Sequence, residues 1–149
     1  MQRTAIFVGS FDPFTIGHAD IARRALALVD RLVIGVGIND SKRYSLSTEE
    51  RIQAIAGLFA DEPRVEVVGY SDLTTDFALR MGAQCVVKGV RSVKDFEYER
   101  EQADINRQLT GLETLLLCAR PELASVSSSL VRELARFGQD ITPFLPQKR

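Results

Sequence analysis

Five short, almost unbroken apolar runs recur along the chain, separated by longer stretches in which apolar residues return every three or four positions. A strand apolar on both sides of its two-residue period must be covered on both faces, and helices lying between such strands supply that cover. The alternation predicts an α/β fold, with a doubly wound five-stranded parallel sheet and helices on both faces. Strands are predicted at Thr4 to Val8, Arg31 to Ile38, Val65 to Tyr70, Cys85 to Lys88 and Glu113 to Ala119. Helices are predicted at Ile16 to Val29, Thr48 to Phe59, Leu73 to Met81, Val93 to Leu109 and Ser128 to Phe137. Ser47 and Glu50 have the spacing of a capping box, and Gly82 and Gly138 stand where left-handed helix ends occur. With 149 residues, 45% of them hydrophobic, and no repeat or low-complexity tract, one domain spanning residues 1–149 is expected.

Charge and cysteine usage exclude several classes. Nineteen Lys and Arg face twenty Asp and Glu, so no overall charge draws the chain to nucleic acid or an anionic membrane, and any anion site must be local. The apolar run ending at Gly9 is too short for a signal-peptide core or a membrane span, which predicts a cytoplasmic location. Cys85 and Cys118 lie in separate apolar runs without metal-ligand spacing, and are expected to be small buried side chains.

Chemistry concentrates between the first strand and first helix, in Gly9-Ser10-Phe11-Asp12-Pro13-Phe14-Thr15-Ile16-Gly17-His18. A glycine lets backbone approach a phosphate, and a helix start offers unpaired N–H groups and a positive dipole end. The spacing fits neither a P-loop nor a dinucleotide turn. His18, the sole histidine, is placed to donate to an α-phosphate oxygen as charge builds there. Asp12-Pro13 is expected to shape the turn, with Asp12 bonding to nearby backbone. After the fourth strand, Lys88 and Arg91 are set at the edge where parallel sheets bind ligands, and Lys42 follows the second strand at the same edge. Lys94, Asp95, Arg100 and Glu101 read as solvated surface charge. The run Ser125-Val126-Ser127-Ser128-Ser129 before the last helix forms a second candidate phosphate cradle.

GSFDPFTIGH resembles the signature turn of Rossmann-like nucleotidyltransferases carrying TxGH or HxGH. The turn alone leaves open relatives that use CTP with glycerol phosphate or adenylate nicotinamide mononucleotide, and a nucleotide-sensing module without turnover. Together with Lys42, VKGVRSVKDFEYE and SVSSSLVREL, it resembles the phosphopantetheine adenylyltransferase family over nearly the whole chain. That resemblance implies transfer of AMP from ATP to 4′-phosphopantetheine, giving dephospho-coenzyme A and pyrophosphate. It implies His18, Lys42 and Arg91 as catalytic residues, and Ser10, Lys42, Thr74 and Lys88 as contacts of the pantetheine substrate. For ATP it implies Ser10, Phe11, His18, Gly89, Val90, Arg91, Glu99 and the stretch Leu123, Ala124, Ser125, Val126, Ser127, Ser128 and Ser129. Asn106 and Glu133 would lie near the pantetheine arm. A cytoplasmic homohexamer, Mg²⁺ arriving with ATP without a protein metal site, and feedback inhibition by coenzyme A are further implications. Ser10, Lys88 and Leu123 stand where many members have threonine, arginine and an aromatic residue.

Overall fold

The computed structural model describes residues 1–148. Its strands are β1 (Thr4–Gly9), β2 (Arg31–Gly37), β3 (Val65–Tyr70), β4 (Cys85–Val90) and β5 (Glu113–Cys118). Its α-helices are α1 (Ile16–Ala25), α2 (Thr48–Leu58), α3 (Thr74–Arg80), α4 (Val93–Thr110) and α5 (Ser128–Arg136). All strands are parallel, in the order β3-β2-β1-β4-β5. The expected doubly wound sheet is therefore present.

Because side chains alternate along a strand, each central strand feeds two cores. Ala5 and Phe7 of β1, with Leu32, Ile34 and Val36 of β2, pack toward α1 and α2. Ile6, Val33 and Val86 point the other way, toward Phe77 and Ala78 of α3. Ile6, Leu32, Val33, Ile34, Val86 and Val87 are fully buried. Close packing also accounts for Gly35, since a Cβ there would come within 2.5 Å of the buried Phe77 ring.

Several boundaries differ from expectation. α1 ends at Ala25, not Val29, because Ala27 and Leu28 donate to carbonyls three residues back and tighten the chain into a turn. Leu73 caps α3 instead of starting it. Ser47 and Glu50 form the predicted capping box, and Gly82 and Gly138 have φ of 72° and 81°. The cysteines are not both buried: Cys85 is half-buried and Cys118 is exposed. Cys118 ends β5, an edge strand that lacks a neighbour on its outer side. The tail after Phe144, which the sequence suggests is frayed, is docked: Leu145 and Pro146 border one groove with Phe11 and Phe14, and the Gln147 carbonyl accepts from Arg23. Of that tail, Arg149 lies outside the described residues.

Candidate active site

β1 pairs with β2 as far as Gly9–Val36, but with β4 only through Ala5–Cys85, Ile6–Val86 and Phe7–Val87. Past that point β1 and β4 part, at the place in the sheet where the direction of winding reverses. In parallel sheets this is where a crevice opens outside the strand ends. Here it is a cavity of about 410 Å³ whose floor includes Val8, Gly9, Lys88 and Gly89. Both floor glycines are crowded: a Cβ on Gly9 would meet the Phe11 ring at 3.0 Å, and one on Gly89 would meet Ile21 at 3.0 Å.

One wall is the turn from β1 into α1. Thr15 caps the helix and His18 completes a capping box, its Nδ1 accepting from the Thr15 N–H at 2.9 Å. A backbone nitrogen can only donate, so Nδ1 is unprotonated and the ring hydrogen sits on Nε2. The imidazole lies edge-on to Phe11 at 5.1 Å and stacked on Phe14 at 5.4 Å. Burial, helped by the Arg91 charge, lowers its pKa to about 4, so at neutral pH it is an uncharged N–H donor. Asp12 departs from expectation. Its buried carboxylate accepts not from its own turn but from the backbone N–H groups of Ser45 and Leu46, at 2.7 and 2.9 Å. It thereby joins the first turn to the loop that carries Lys42.

Lys42 reaches back to that turn and donates from Nζ to Ser10 Oγ at 3.0 Å. This contact lies where the crevice meets a second depression of about 760 Å³, bounded by Tyr70, Asp72 and Thr74. Thr74 thus shares Ser10 and Lys42 with the crevice without lining it, whereas Lys88 lines the crevice itself.

The opposite wall is β4 running into α4. Lys88 Nζ lies 3.2 Å from Glu99, and Arg91 donates from Nε to Asp95 at 3.3 Å. Asp95 and Glu99 are one helical turn apart, so they face the same way. Reading Asp95 as mere surface charge is therefore corrected: it lines the crevice and holds Arg91. Arg100, by contrast, pairs outside it with Asp104.

The serine run closes the remaining side, and its members divide the work. Ser127 caps α5 by accepting from Leu130 N–H, Ser128 donates to the Pro13 carbonyl at 2.7 Å, and Ser129 lies 3.2 Å from Ser127. All three line the crevice with Leu123 and Val126, but Val90, Ala124 and Ser125 do not. Glu133 borders a separate groove beside α5, and Asn106 sits along α4 outside the crevice. Sequence reasoning missed two arginines. Arg132 lines the crevice and donates to the Asp12 carbonyl at 2.7 Å, and Arg51 donates to the Ser10 carbonyl from behind it.

The cytidylyltransferase-like family model matches residues 6–134. The phosphopantetheine adenylyltransferase of Phocaeicola vulgatus is 57% identical over 146 residues, covering 98% of this chain and 97% of that protein. The one from Bacteroides thetaiotaomicron is 51% identical over the same shares. The chain belongs to the phosphopantetheine adenylyltransferase family. Solved structures agree on the fold. A putative nicotinate-nucleotide adenylyltransferase from Vibrio parahaemolyticus has a TM-score of 0.68 at 16% identity, covering 99% of this chain and 95% of that one. A bifunctional NMN adenylyltransferase/ADP ribose pyrophosphatase from Francisella tularensis has a TM-score of 0.74 at 16% identity; this chain, fully covered, spans 46% of it.

Proposed function

We propose that the crevice between β1 and β4 is where this adenylyltransferase of coenzyme A biosynthesis joins the AMP of ATP to 4′-phosphopantetheine. A phosphate oxygen of the acceptor attacks the α-phosphorus, a new P–O bond forms, the bond to the β-phosphate breaks, and pyrophosphate leaves. The protein need supply no nucleophile, so its task is to align two highly anionic molecules and stabilise the charge that builds on the α-phosphoryl oxygens.

The observation that carries this reading is the Lys42–Ser10 contact at the meeting point of the two depressions. ATP fits the crevice, with its α-phosphate at His18 Nε2, its β- and γ-phosphates at Arg91 and the α5 N-terminus, and its adenosine against Gly89 and Leu123. The acceptor enters from the Thr74 side, and its phosphate meets Lys42 and Ser10. Lys88 reaches the same phosphate from β4 once it leaves Glu99. Coenzyme A contains both adenosine and pantetheine, so it would span both depressions and act as a feedback inhibitor.

Mg²⁺ would be bound together with ATP, helping to neutralise its phosphates, and not at a carboxylate cage of the protein. The two carboxylates of the crevice, Asp95 and Glu99, are engaged by Arg91 and Lys88, and among the described residues no group of three metal-ligating side chains occurs. Self-association, which we take to be the homohexamer, is supported by α4, which buries none of its residues and exposes Val93, Phe96, Tyr98, Ile105 and Leu109. Among the described residues no helix is long and apolar enough to cross a membrane, which is compatible with the proposed cytoplasmic location. The direct test is pyrophosphate release. It should require both ATP and 4′-phosphopantetheine, and release with CTP, or with nicotinamide mononucleotide as acceptor, would overturn the assignment.

A further inference from the structure

Arg51 is the largest fully buried side chain of the described residues, only 1% exposed, yet it lines neither the crevice nor the depression beside it. It projects from the first turn of α2 into the space behind the crevice. Its Nη1 donates to the Ser10 carbonyl at 2.6 Å and to the Gly37 carbonyl at 2.9 Å, and its Nη2 donates to Thr48 Oγ1 at 3.2 Å. The guanidinium lies 3.8 Å from the centre of the Tyr44 ring, while Nε is buried without a partner. No carboxylate of the described residues forms an ion pair with it.

A buried cation without a counter-ion is costly, and an apolar side chain of similar volume would serve packing better. A planar guanidinium can donate from Nη1 to two strand-end carbonyls while its flat face covers a ring, a combination that neither an apolar side chain nor a compact ammonium reproduces. Those contacts converge on Lys42. Ser10, whose carbonyl Arg51 grips, accepts from the Lys42 ammonium through its hydroxyl. Tyr44, on which Arg51 stacks, accepts from the Asn39 N–H at 3.0 Å and has the Lys42 ammonium 5.3 Å from its ring centre. Asp12 fastens the far end of the same loop at Ser45 and Leu46.

We propose that Arg51 is a positioning residue for adenylyl transfer, clamping the Ser10 carbonyl and the Tyr44 ring so that the Lys42 ammonium is held at the junction of the two substrate depressions. The inference rests on the adenylyl-transfer reading but fails separately from it: a wild-type protein releasing no pyrophosphate strikes the reaction, not the clamp.

A double-mutant cycle tests it. Arg51→Lys keeps the charge and loses the fork; it should lower kcat by about 10- to 100-fold, the scale of a misplaced reacting group, with KM for ATP changed less than about threefold. In a Lys42→Ala background the same substitution should cost less than about twofold, because the group it positions is gone. Equal fold-losses in both backgrounds would overturn the proposal, since general damage to the fold multiplies regardless of Lys42. Hydrogen exchange gives a second measurement that needs no turnover: the Ser45 and Leu46 amides should exchange faster in Arg51→Lys, and unchanged exchange counts against the clamp. If Arg51→Lys does not fold, Tyr44→Leu takes its place in the cycle, removing the ring beneath both cations from a half-buried position. A kcat loss that shrinks in the Lys42→Ala background then supports the clamp, and an equal loss in both backgrounds overturns it.

Discussion

The wall of the crevice built by β1 and the start of α1 is tied by hydrogen bonds and backed by the buried Phe11, Asp12, Phe14 and Thr15, whereas the wall built by β4 and the start of α4 is held by ion pairs, Arg91–Asp95 partly exposed and Lys88–Glu99 more shielded. On the first, His18 is oriented by a backbone N–H and packed between phenylalanines. On the second, Lys88 and Arg91 rest on Glu99 and Asp95, carboxylates that the proposed reaction has them exchange for phosphates. Burial sharpens direction, because a desolvated donor keeps one geometry, while solvent-exposed ion pairs are weak enough to be traded when a more highly charged partner arrives. The fixed wall is therefore suited to transition-state contacts and the exchanging wall to substrate capture.

Breaking the fixed wall should do the most damage. His18→Ala is expected to lower kcat by roughly 10²- to 10³-fold with a smaller change in KM, the usual loss for one transition-state donor; a near-normal kcat removes the imidazole from the reaction. The next largest effect is a titration. Because His18 is the only histidine, its ring protons can be followed by NMR without ambiguity, and the midpoint should fall at about 4 instead of the ordinary 6.5. Between those values the unfolded chain binds a proton the folded chain does not. His18 thus contributes stability above pH 6.5 that drains away as the pH falls toward 4, and a midpoint near 6.5 would contradict a desolvated wall. Asp12→Ala leaves two backbone N–H groups without their acceptor, and should destabilise the protein by about 1–3 kcal/mol in denaturant titrations. The smallest change is expected on the exchanging wall. Asp95→Asn frees Arg91, and KM for ATP should fall by no more than about fivefold, as the loss of a surface ion pair implies. A hundredfold effect there would mean that the two walls do not differ as described.

The contrast also explains what can be read from the sequence. The fixed wall is nearly contiguous, so Gly9 to His18 discloses it as a local pattern, and the apolar runs disclose the sheet it grows from. Contacts between distant segments leave no such trace. Asp12 looks like a turn former because its acceptor role is completed thirty-three residues later, at Ser45. Asp95 is lost among neighbours of mixed sign, although its four-residue spacing from Glu99 and Arg91 is visible. Arg51 follows Glu49 and Glu50 and so sits among charges, yet it lies four residues before the buried Ile55, on the inward face of α2. A charge on an apolar stripe is the available signal. Strand period reports which residues face a core but not which strand is an edge, so the exposure of Cys118 is hidden until the strand order is known.

The packing of His18 among Phe7, Phe11 and Phe14 has a practical consequence. Aromatic ring currents will displace the imidazole resonances from their random-coil positions, leaving one isolated signal in an uncrowded part of the spectrum. Any small molecule that settles in the crevice changes that local field. The protein thus carries a built-in, label-free reporter for fragment screening, sensitive to occupancy before any turnover is measured.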